Sequence, residues 1–360
     1  LKPDTGKIIK KDDGVEKMSD MKEKVLQALK ENTQEYVSGE VLSELMGVSR
    51  TAVWKYISEL KKEGYVIESS PKKGYRIMPV YDMLNEYEIR WGLKTKIIGR
   101  DIRYFNAIDS TNNYAKKIAY EGCDEGTVVV ADCQTAGRGR LGRAWDSAGG
   151  KGIWMSVVLK PSIAPENVQI ITLAASVAVA RAIAGTCGIR TGIKWPNDIV
   201  LDGKKVCGIL TEMNSEMERV NFLVLGIGIN VNHEEGDFPD EIKDRATSLK
   251  CHADSGRETS KKEGHGSVFP RSQIIGRILL ELEEMYSKIN KGFTDEIIDE
   301  WRSYSATLGR KVKITGRDGE YEGTAKDVTR DGKLVVDCTD GITREVVSGE
   351  VSVRGLMGYV

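Results

Sequence analysis

Net charge is the first thing this chain of 360 residues lacks: 53 Lys and Arg stand against 54 Asp and Glu, a formal charge of -1. That balance excludes a chain that binds polyanions with its whole surface, so any nucleic-acid contact has to come from a local patch. Cysteine is scarce and scattered, with Cys123, Cys133, Cys187, Cys207, Cys251 and Cys338 forming no CxxC pair. Such spacing argues against a disulfide framework and a zinc site, and leaves reduced, mostly structural thiols. The three histidines, His233, His252 and His265, lie at or near polar loops with no metal-ligand spacing and no paired nucleophile, so no protein-bound metal is assigned. Long apolar runs are missing as well. A stretch such as Ile170 to Ala184 is too short or too interrupted to cross a bilayer, and the N-terminus is charged instead of signal-like. A cytoplasmic protein with no membrane partner is expected.

What is present is a globular balance, 40% hydrophobic and 30% charged residues, in a chain longer than one hydrophobic core usually supports. Two or three domains are expected. Residues 1 to about 20 are rich in Lys and Asp without a period and read as a mobile tail. From Met21 onward, Val25, Leu26 and Leu29 recur at helical spacing, and a second short helix follows around Val41, Leu42, Leu45 and Met46, closed by Gly47. Ser49 can cap a third helix whose Val53, Tyr56, Ile57 and Leu60 form a buried stripe. Its other face carries Arg50, Thr51, Trp54 and Lys55 near the N-terminal half, where a recognition helix meets bases and phosphates. Tyr65 to Ile77 reads as a two-strand ribbon with a basic tip at Lys72 and Lys73. Three helices and a hairpin over residues 21–80 make a winged helix-turn-helix. A small helical protein-interaction domain shares the same period, and the short turn and basic wing favour DNA.

A charged linker, residues 81–95, leads into a mixed-sheet α/β region, α+β in layout, over residues 96–305. Strands are predicted at Thr127 to Ala131, Ile153 to Leu159, Ile199 to Leu201, Val206 to Glu212 and Phe222 to Ile229. Helices are predicted near Asn112 to Tyr120, Val168 to Ala184 and Gln273 to Ile289, the middle one apolar nearly all round and hence central. Asp202-Gly203 between two apolar runs is a hairpin turn, which makes part of the sheet antiparallel. Leu249 to Ser267 reads as a mobile loop. In residues 306–360, turns at Gly319, Gly332 and Gly341 separate the runs Val312 to Ile314, Leu334 to Val336 and Val346 to Val353, the pattern of a small β-barrel.

The chemistry concentrates in two segments. Gln134-Thr-Ala-Gly-Arg-Gly-Arg-Leu-Gly-Arg143 precedes Trp145 and alternates glycines with Arg138, Arg140 and Arg143. Its backbone is free to approach a ligand and its cations can neutralise phosphate. A nucleic-acid-binding segment reads equally well from these residues alone. It matches neither the GxxxxGK[ST] loop nor a GxGxxG opening a helix, so the common mononucleotide and dinucleotide folds are disfavoured. Downstream, Lys194-Trp-Pro-Asn-Asp198 is expected at a strand end lining a cleft, with Lys205 on the following strand able to reach in. Taken singly, Trp195 reads as a packing aromatic and Lys205 as a solvated lysine.

These segments, together with Asp109-Ser-Thr-Asn112, Lys205 with Gly208-Ile209-Leu210, and Gly226-Ile-Gly-Ile-Asn230, stand in the order seen in biotin–protein ligases. The chain resembles that family over nearly its whole length. With its N-terminal winged module and a C-terminal SH3-like β-barrel it is similar to the bifunctional type, the biotin operon repressor. The resemblance implies that biotin is bound by Ser110, Thr111, Asn112, Gln134, Arg138, Gly139, Arg140 and Lys205. It implies nucleotide contacts from Arg138, Arg140, Arg143, Trp145, Asn197, Asp198, Asn230 and Arg354, with Lys205 and Arg140 in the catalytic role. It also implies ATP with Mg²⁺, biotinyl-5′-AMP as intermediate, a lysine of a biotin carboxyl carrier protein as acceptor, operator DNA, and a homodimer when the adenylate is bound. Where relatives often carry another basic residue in the loop, this chain has Leu141. The competing readings are a lipoate–protein ligase and a biotin-sensing transcription factor without catalysis. No Ser-His-Asp or Cys-His arrangement is needed for adenylate chemistry.

Overall fold

The computed structural model describes residues 13–216, 219–256, 268–316, 319–347 and 352–355. The chain divides into two compact units, Leu1–Met83 and Leu84–Val360.

In the first unit, α1 (Asp13–Glu31), α2 (Gly39–Met46) and α3 (Arg50–Lys62) precede a hairpin of β1 (Ile67–Ser70) and β2 (Gly74–Ile77). Residues 13–20, expected in the tail, are helical, and residues 1–12 lie outside the described residues. Local chemistry sets the boundaries. Ser38 and Ser49 accept hydrogen bonds from the Val41 and Ala52 amides at 3.1 and 3.2 Å, capping α2 and α3. Gly47, at φ 62°, closes α2 in the left-handed region. Val25, Leu26, Leu29, Leu42, Met46, Val53, Tyr56, Ile57 and Leu60 fill the core. Val37 pairs with Tyr75 through hydrogen bonds of 2.8 and 2.9 Å. The backbone passes so close there that a Cβ at Gly74 would lie 2.1 Å from the Val37 oxygen.

The second unit begins with α4 (Glu86–Arg90), a helix inside the stretch read as a linker, with Ile89 buried in the unit's core. There follow β3 (Ile102–Ile108), α5 (Thr111–Tyr120), β4 (Val128–Gln134), β5 (Gly152–Leu159), α6 (Gln169–Cys187), β6 (Gly192–Lys194), β7 (Asp198–Leu201), β8 (Lys204–Glu216) and β9 (Arg219–Asn230). These strands form one sheet in the order β3-β4-β5-β9-β8-β7-β6. It is mixed: β3 and β4 run parallel and the other neighbours antiparallel. Asp202 and Gly203, at φ 49° and 76°, make the β7–β8 turn that Asp-Gly predicted.

Period-two alternation sorts the side chains to the two faces. On β9, Leu223, Leu225, Ile227 and Ile229 enter the large core, which α6, α8 (Arg271–Asn290) and α9 (Thr294–Tyr304) share. Phe222 and Val224, on the other face, pack with Ala115, Ile118 and Ala119 of α5. Gly226, Gly228 and Asn230 continue that second face beyond α5, and the absence of side chains at the two glycines opens the space for a site. By length and composition the helix spanning Pro165–Cys187 is apolar enough to cross a membrane, which corrects the reading that this stretch is too short. Its burial explains the composition, since α6 residues from Ile170 to Ile183 are enclosed almost continuously.

Leu249 to Ser267 is not loop throughout: Leu249–Asp254 forms α7, with Leu249 and His252 buried, and 257–267 lie outside the described residues. At the C-terminal end, β10 (Lys311–Gly316), β11 (Gly319–Val328), β12 (Leu334–Cys338), β13 (Thr343–Val346) and β14 (Ser352–Gly355) form an antiparallel sheet in the order β13-β12-β11-β10-β14. The run Val346 to Val353 belongs to two strands rather than one, because Val346 ends β13 and Val353 lies in β14 on the opposite side of the sheet. Val312, Ile314, Leu334 and Val336 join the core of the preceding sheet.

Candidate active site

A cavity of about 790 Å³ opens on the glycine face of the sheet. One end is polar and uncharged. Ser110 caps α5, placing Thr111 and Asn112 on its first turn, all three buried. The Gln134 Oε1 accepts from the Thr111 amide at 2.8 Å and lies 3.0 Å from Thr111 Oγ1, while Gln134 Nε2 donates to Ser147 Oγ at 2.9 Å. Ser156 Oγ stands 2.8 Å from Thr111 Oγ1 and 2.6 Å from Asn112 Oδ1. A Cβ at Gly226 would come 2.2 Å from Asn112 Oδ1, so only glycine leaves room for this amide on β9.

The other end carries charge, with Arg140, Arg143 and Lys205 beside the Asp198 carboxylate. The Gly-Arg loop folds back on itself, with the Gly139 amide donating to the Arg143 oxygen at 2.7 Å and the Trp145 amide to the Gly137 oxygen at 2.9 Å. A Cβ at Gly137 would sit 2.3 Å from the Trp145 oxygen, which accounts for that glycine by close approach. Trp145 lies over Gly208 and Gly228, where a Cβ would meet its ring at 2.9 and 2.8 Å. Arg140 Nη1 donates to Asn197 Oδ1 at 2.9 Å, and Asn197 Nδ2 donates to the Ile209 oxygen at 2.7 Å. Burial pushes the Arg140 pKa down while the Asp198 carboxylate opposes the shift. Lys205 pairs with Asp198 at 2.6 Å and lies 5.0 Å from the Trp145 ring centroid. Two cations are therefore held at fixed places on the wall of a partly enclosed cavity, the arrangement that offsets charge gathering between two anions.

The structure brings together Ser110, Thr111, Asn112, Gln134, Arg138, Gly139, Arg140, Arg143, Trp145, Asn197, Asp198, Lys205 and Asn230, all on the cavity wall. Arg138 is exposed and donates to Asn113 Oδ1 at 3.1 Å. Arg143 is exposed and Asn230 buried, its Nδ2 donating to the Thr247 oxygen at 3.0 Å. Arg354 lies on β14 opposite Lys313, and its side chain is outside the described residues. Trp195 is indeed a packing aromatic, buried, with Nε1 donating to the Gly332 oxygen of the C-terminal sheet at 3.0 Å. Lys205 is not a solvated strand lysine.

Sequence reasoning missed Ser147, which follows the Gly-Arg loop, Ser156 and Glu212, whose contacts depend on how the strands are placed, and the segment after Asn230. His233, Asp237, Phe238, Pro239, Ile242 and Arg245 also line the cavity. His233 is stacked on Phe238 at 5.6 Å and set edge-on to Trp154 at 5.9 Å. The Lys205 amide donates to the Arg245 oxygen at 2.7 Å, tying this segment to β8. Among the described residues no group of three His, Cys, Asp or Glu could hold a metal ion.

In the first unit, Ser49, Arg50, Thr51, Trp54 and Lys55 are exposed along the N-terminal half of α3, Trp54 at 62%. Lys72 and Lys73 are exposed at the hairpin tip. Arg50 pairs with Glu40 at 2.9 Å, and Ser49 is occupied as the helix cap.

Winged helix-turn-helix, mixed sheet with a two-ended cavity, and C-terminal antiparallel sheet together define an enzyme unit of the protein-ligase type with a DNA-binding head. Residues 104–230 match the Biotin/lipoate A/B protein ligase family, 22–76 an HTH domain, and 307–354 the Biotin protein ligase C terminal domain. Over 334 residues the chain is 41% identical to the bifunctional ligase/repressor BirA of Bacillus subtilis (strain 168), covering 92% of this chain and 98% of that protein. With the bifunctional ligase/repressor BirA of Escherichia coli (strain K12) it shares 27% identity over 320 residues, 89% of this chain and 94% of the relative. The solved biotin protein ligase from Aquifex aeolicus in complex with biotin and ATP is similar at a TM-score of 0.58 and 31% identity, over 71% of this chain and 99% of that one. The chain belongs to the biotin protein ligase family, in its bifunctional ligase/repressor branch.

Proposed function

We infer that this chain is an ATP-dependent biotin–protein ligase that also acts as a biotin-responsive repressor. The observation that carries the reading is the two-ended cavity, with hydroxyls and amides at one end and Arg140 and Lys205 at the other. Ser110, Thr111, Asn112 and Gln134 suit the flat, polar ureido ring of biotin, which needs its hydrogen bonds satisfied when buried. In the first step the biotin carboxylate attacks the α-phosphorus of ATP, a new C–O–P linkage forms, and the bond to the β-phosphate breaks to release pyrophosphate. Lys205 and Arg140 offset the charge that accumulates as carboxylate and phosphate meet. In the second step the acceptor lysine amine attacks the mixed-anhydride carbonyl, an amide forms, the amine loses its proton, and AMP leaves.

Arg138, Gly139 and Arg143 belong to the loop that excludes water from the adenylate. Trp145, Asn197, Asp198, Asn230 and Arg354 serve the nucleotide. Mg²⁺ arrives with ATP, on its phosphates. The acceptor is a biotin carboxyl carrier protein. The winged module reads operator DNA, as a homodimer on a two-fold site when the adenylate is bound. The reaction takes place in the cytoplasm.

Biotin-dependent ATP–pyrophosphate exchange tests the reading, with lipoate in parallel and Lys205→Ala as control. Exchange with biotin alone, lost in Lys205→Ala, is expected. Exchange with lipoate alone would reassign the substrate, and silence with both would leave a sensor.

A further inference from the structure

Glu212 is on β8 and does not line the cavity, yet it makes the contacts that determine which way one of the cavity's amides points. Its Oε2 accepts from Asn112 Nδ2 at 2.9 Å and its Oε1 accepts from Lys116 Nζ at 2.9 Å. An ionised carboxylate only accepts, so the amino group of Asn112 has to face Glu212. The Asn112 carbonyl then faces Ser156, 2.6 Å away. The Asn112 side chain lies directly over Gly226, where a Cβ would stand 2.2 Å from its Oδ1. Ser156 has one proton and gives it to Asn112, so it faces Thr111 Oγ1, 2.8 Å away, as an acceptor. Burial opposes the charge on Glu212, but the hydrogen bonds from Asn112 and Lys116, with Arg138 nearby, outweigh it and hold the carboxyl below its ordinary value.

We propose that Glu212 is a positioning residue for biotin recognition, acting through Asn112 to fix the order of donors and acceptors along the uncharged end of the cavity. The inference rests on the ligase reading above. A ureido group offers one acceptor and two donors in a rigid ring, so a wall with its amide reversed sets donor against donor.

Glu212→Gln keeps the shape and leaves one acceptor for two donors. The Lys116 cation takes the amide oxygen, and the amide NH₂ is left facing the Asn112 amino group. In biotin-dependent pyrophosphate exchange by the full chain, KM for biotin should rise about tenfold, while kcat and KM for ATP stay within about twofold of wild type. Glu212→Met, which removes both acceptors at similar bulk, should give the same split. In an Asn112→Ala background, adding Glu212→Gln should change nothing further, because the group it acts through is gone. An unmoved KM for biotin, a matching rise in KM for ATP, or a penalty undiminished in the Asn112→Ala background would each overturn the proposal. Wild-type protein silent with biotin would instead bring down the ligase reading on which it rests.

Discussion

A single hydrogen on β9 decides whether the uncharged end of the cavity exists. In Gly226→Ala the new methyl would stand 2.2 Å from Asn112 Oδ1, so the amide must leave its contact with Ser156. We expect KM for biotin to rise about tenfold or more, with a stability loss of roughly 1–3 kcal/mol from overpacking, checked by exchange kinetics and urea unfolding. At His233, burial between Trp154 and Phe238 lowers the pKa, with Asp237 opposing. The folded protein therefore favours neutral imidazole, while the unfolded chain takes up a proton near its ordinary value of about 6.5. Stability contributed this way is present above that value and is lost as pH falls through the lowered one. Urea midpoints followed from pH 7 to 5 should fall less steeply in His233→Gln than in wild type. The glycines and arginines around Gln134 could be read from the sequence because they are contiguous. Ser156 and Glu212 could not, since an isolated hydroxyl or carboxylate has no pattern until β5, β8 and β9 are in register, and Ser147 meets Gln134 only once the chain after the Gly-Arg loop has folded back.

At the level of elements, caps and apolar periods carried most of the information. The winged module follows from Gly47 and Ser49 with the stripe Val53, Tyr56, Ile57 and Leu60, while the Ser38 cap of α2 emerged only in the structure. Removing the α3 cap with Ser49→Ala should cost about 1 kcal/mol, read as a lower unfolding midpoint of the module. It should also weaken operator binding in gel shifts, because the frayed turn carries Arg50 and Thr51. The elements that escaped prediction have physical reasons. β3 is an edge strand, half-exposed along most of its length, so it lacks a clean alternation. α7 is six residues long, too short to declare a period before its polar continuation hides it.

For the whole molecule, the separation into two units predicts separable activities. Every residue on the cavity wall comes from the second unit. A chain consisting of residues 84–360 should retain biotin-dependent exchange within about twofold of the full chain and lose operator binding. The full chain should bind operator more tightly when biotin and ATP are added; binding indifferent to both would contradict the adenylate-coupled dimer. The C-terminal sheet is not separable in the same way, because it shares a core with the larger sheet and receives the Trp195 hydrogen bond at Gly332.

The apolar helix α6 has a further consequence during protein synthesis. It ends at Cys187, and α8, one of the helices that cover it, begins at Arg271. The ribosome must therefore add the whole of residues 188–270 before that cover exists, an interval on the order of ten seconds. Through the later part of it, a helix apolar on nearly every side stands outside the ribosome without that cover, while the winged module ahead of it can already fold. The nascent chain is then most exposed to aggregation and to chaperone capture, and slow codons between α6 and α8 would lengthen that exposure without altering a single residue of the finished protein.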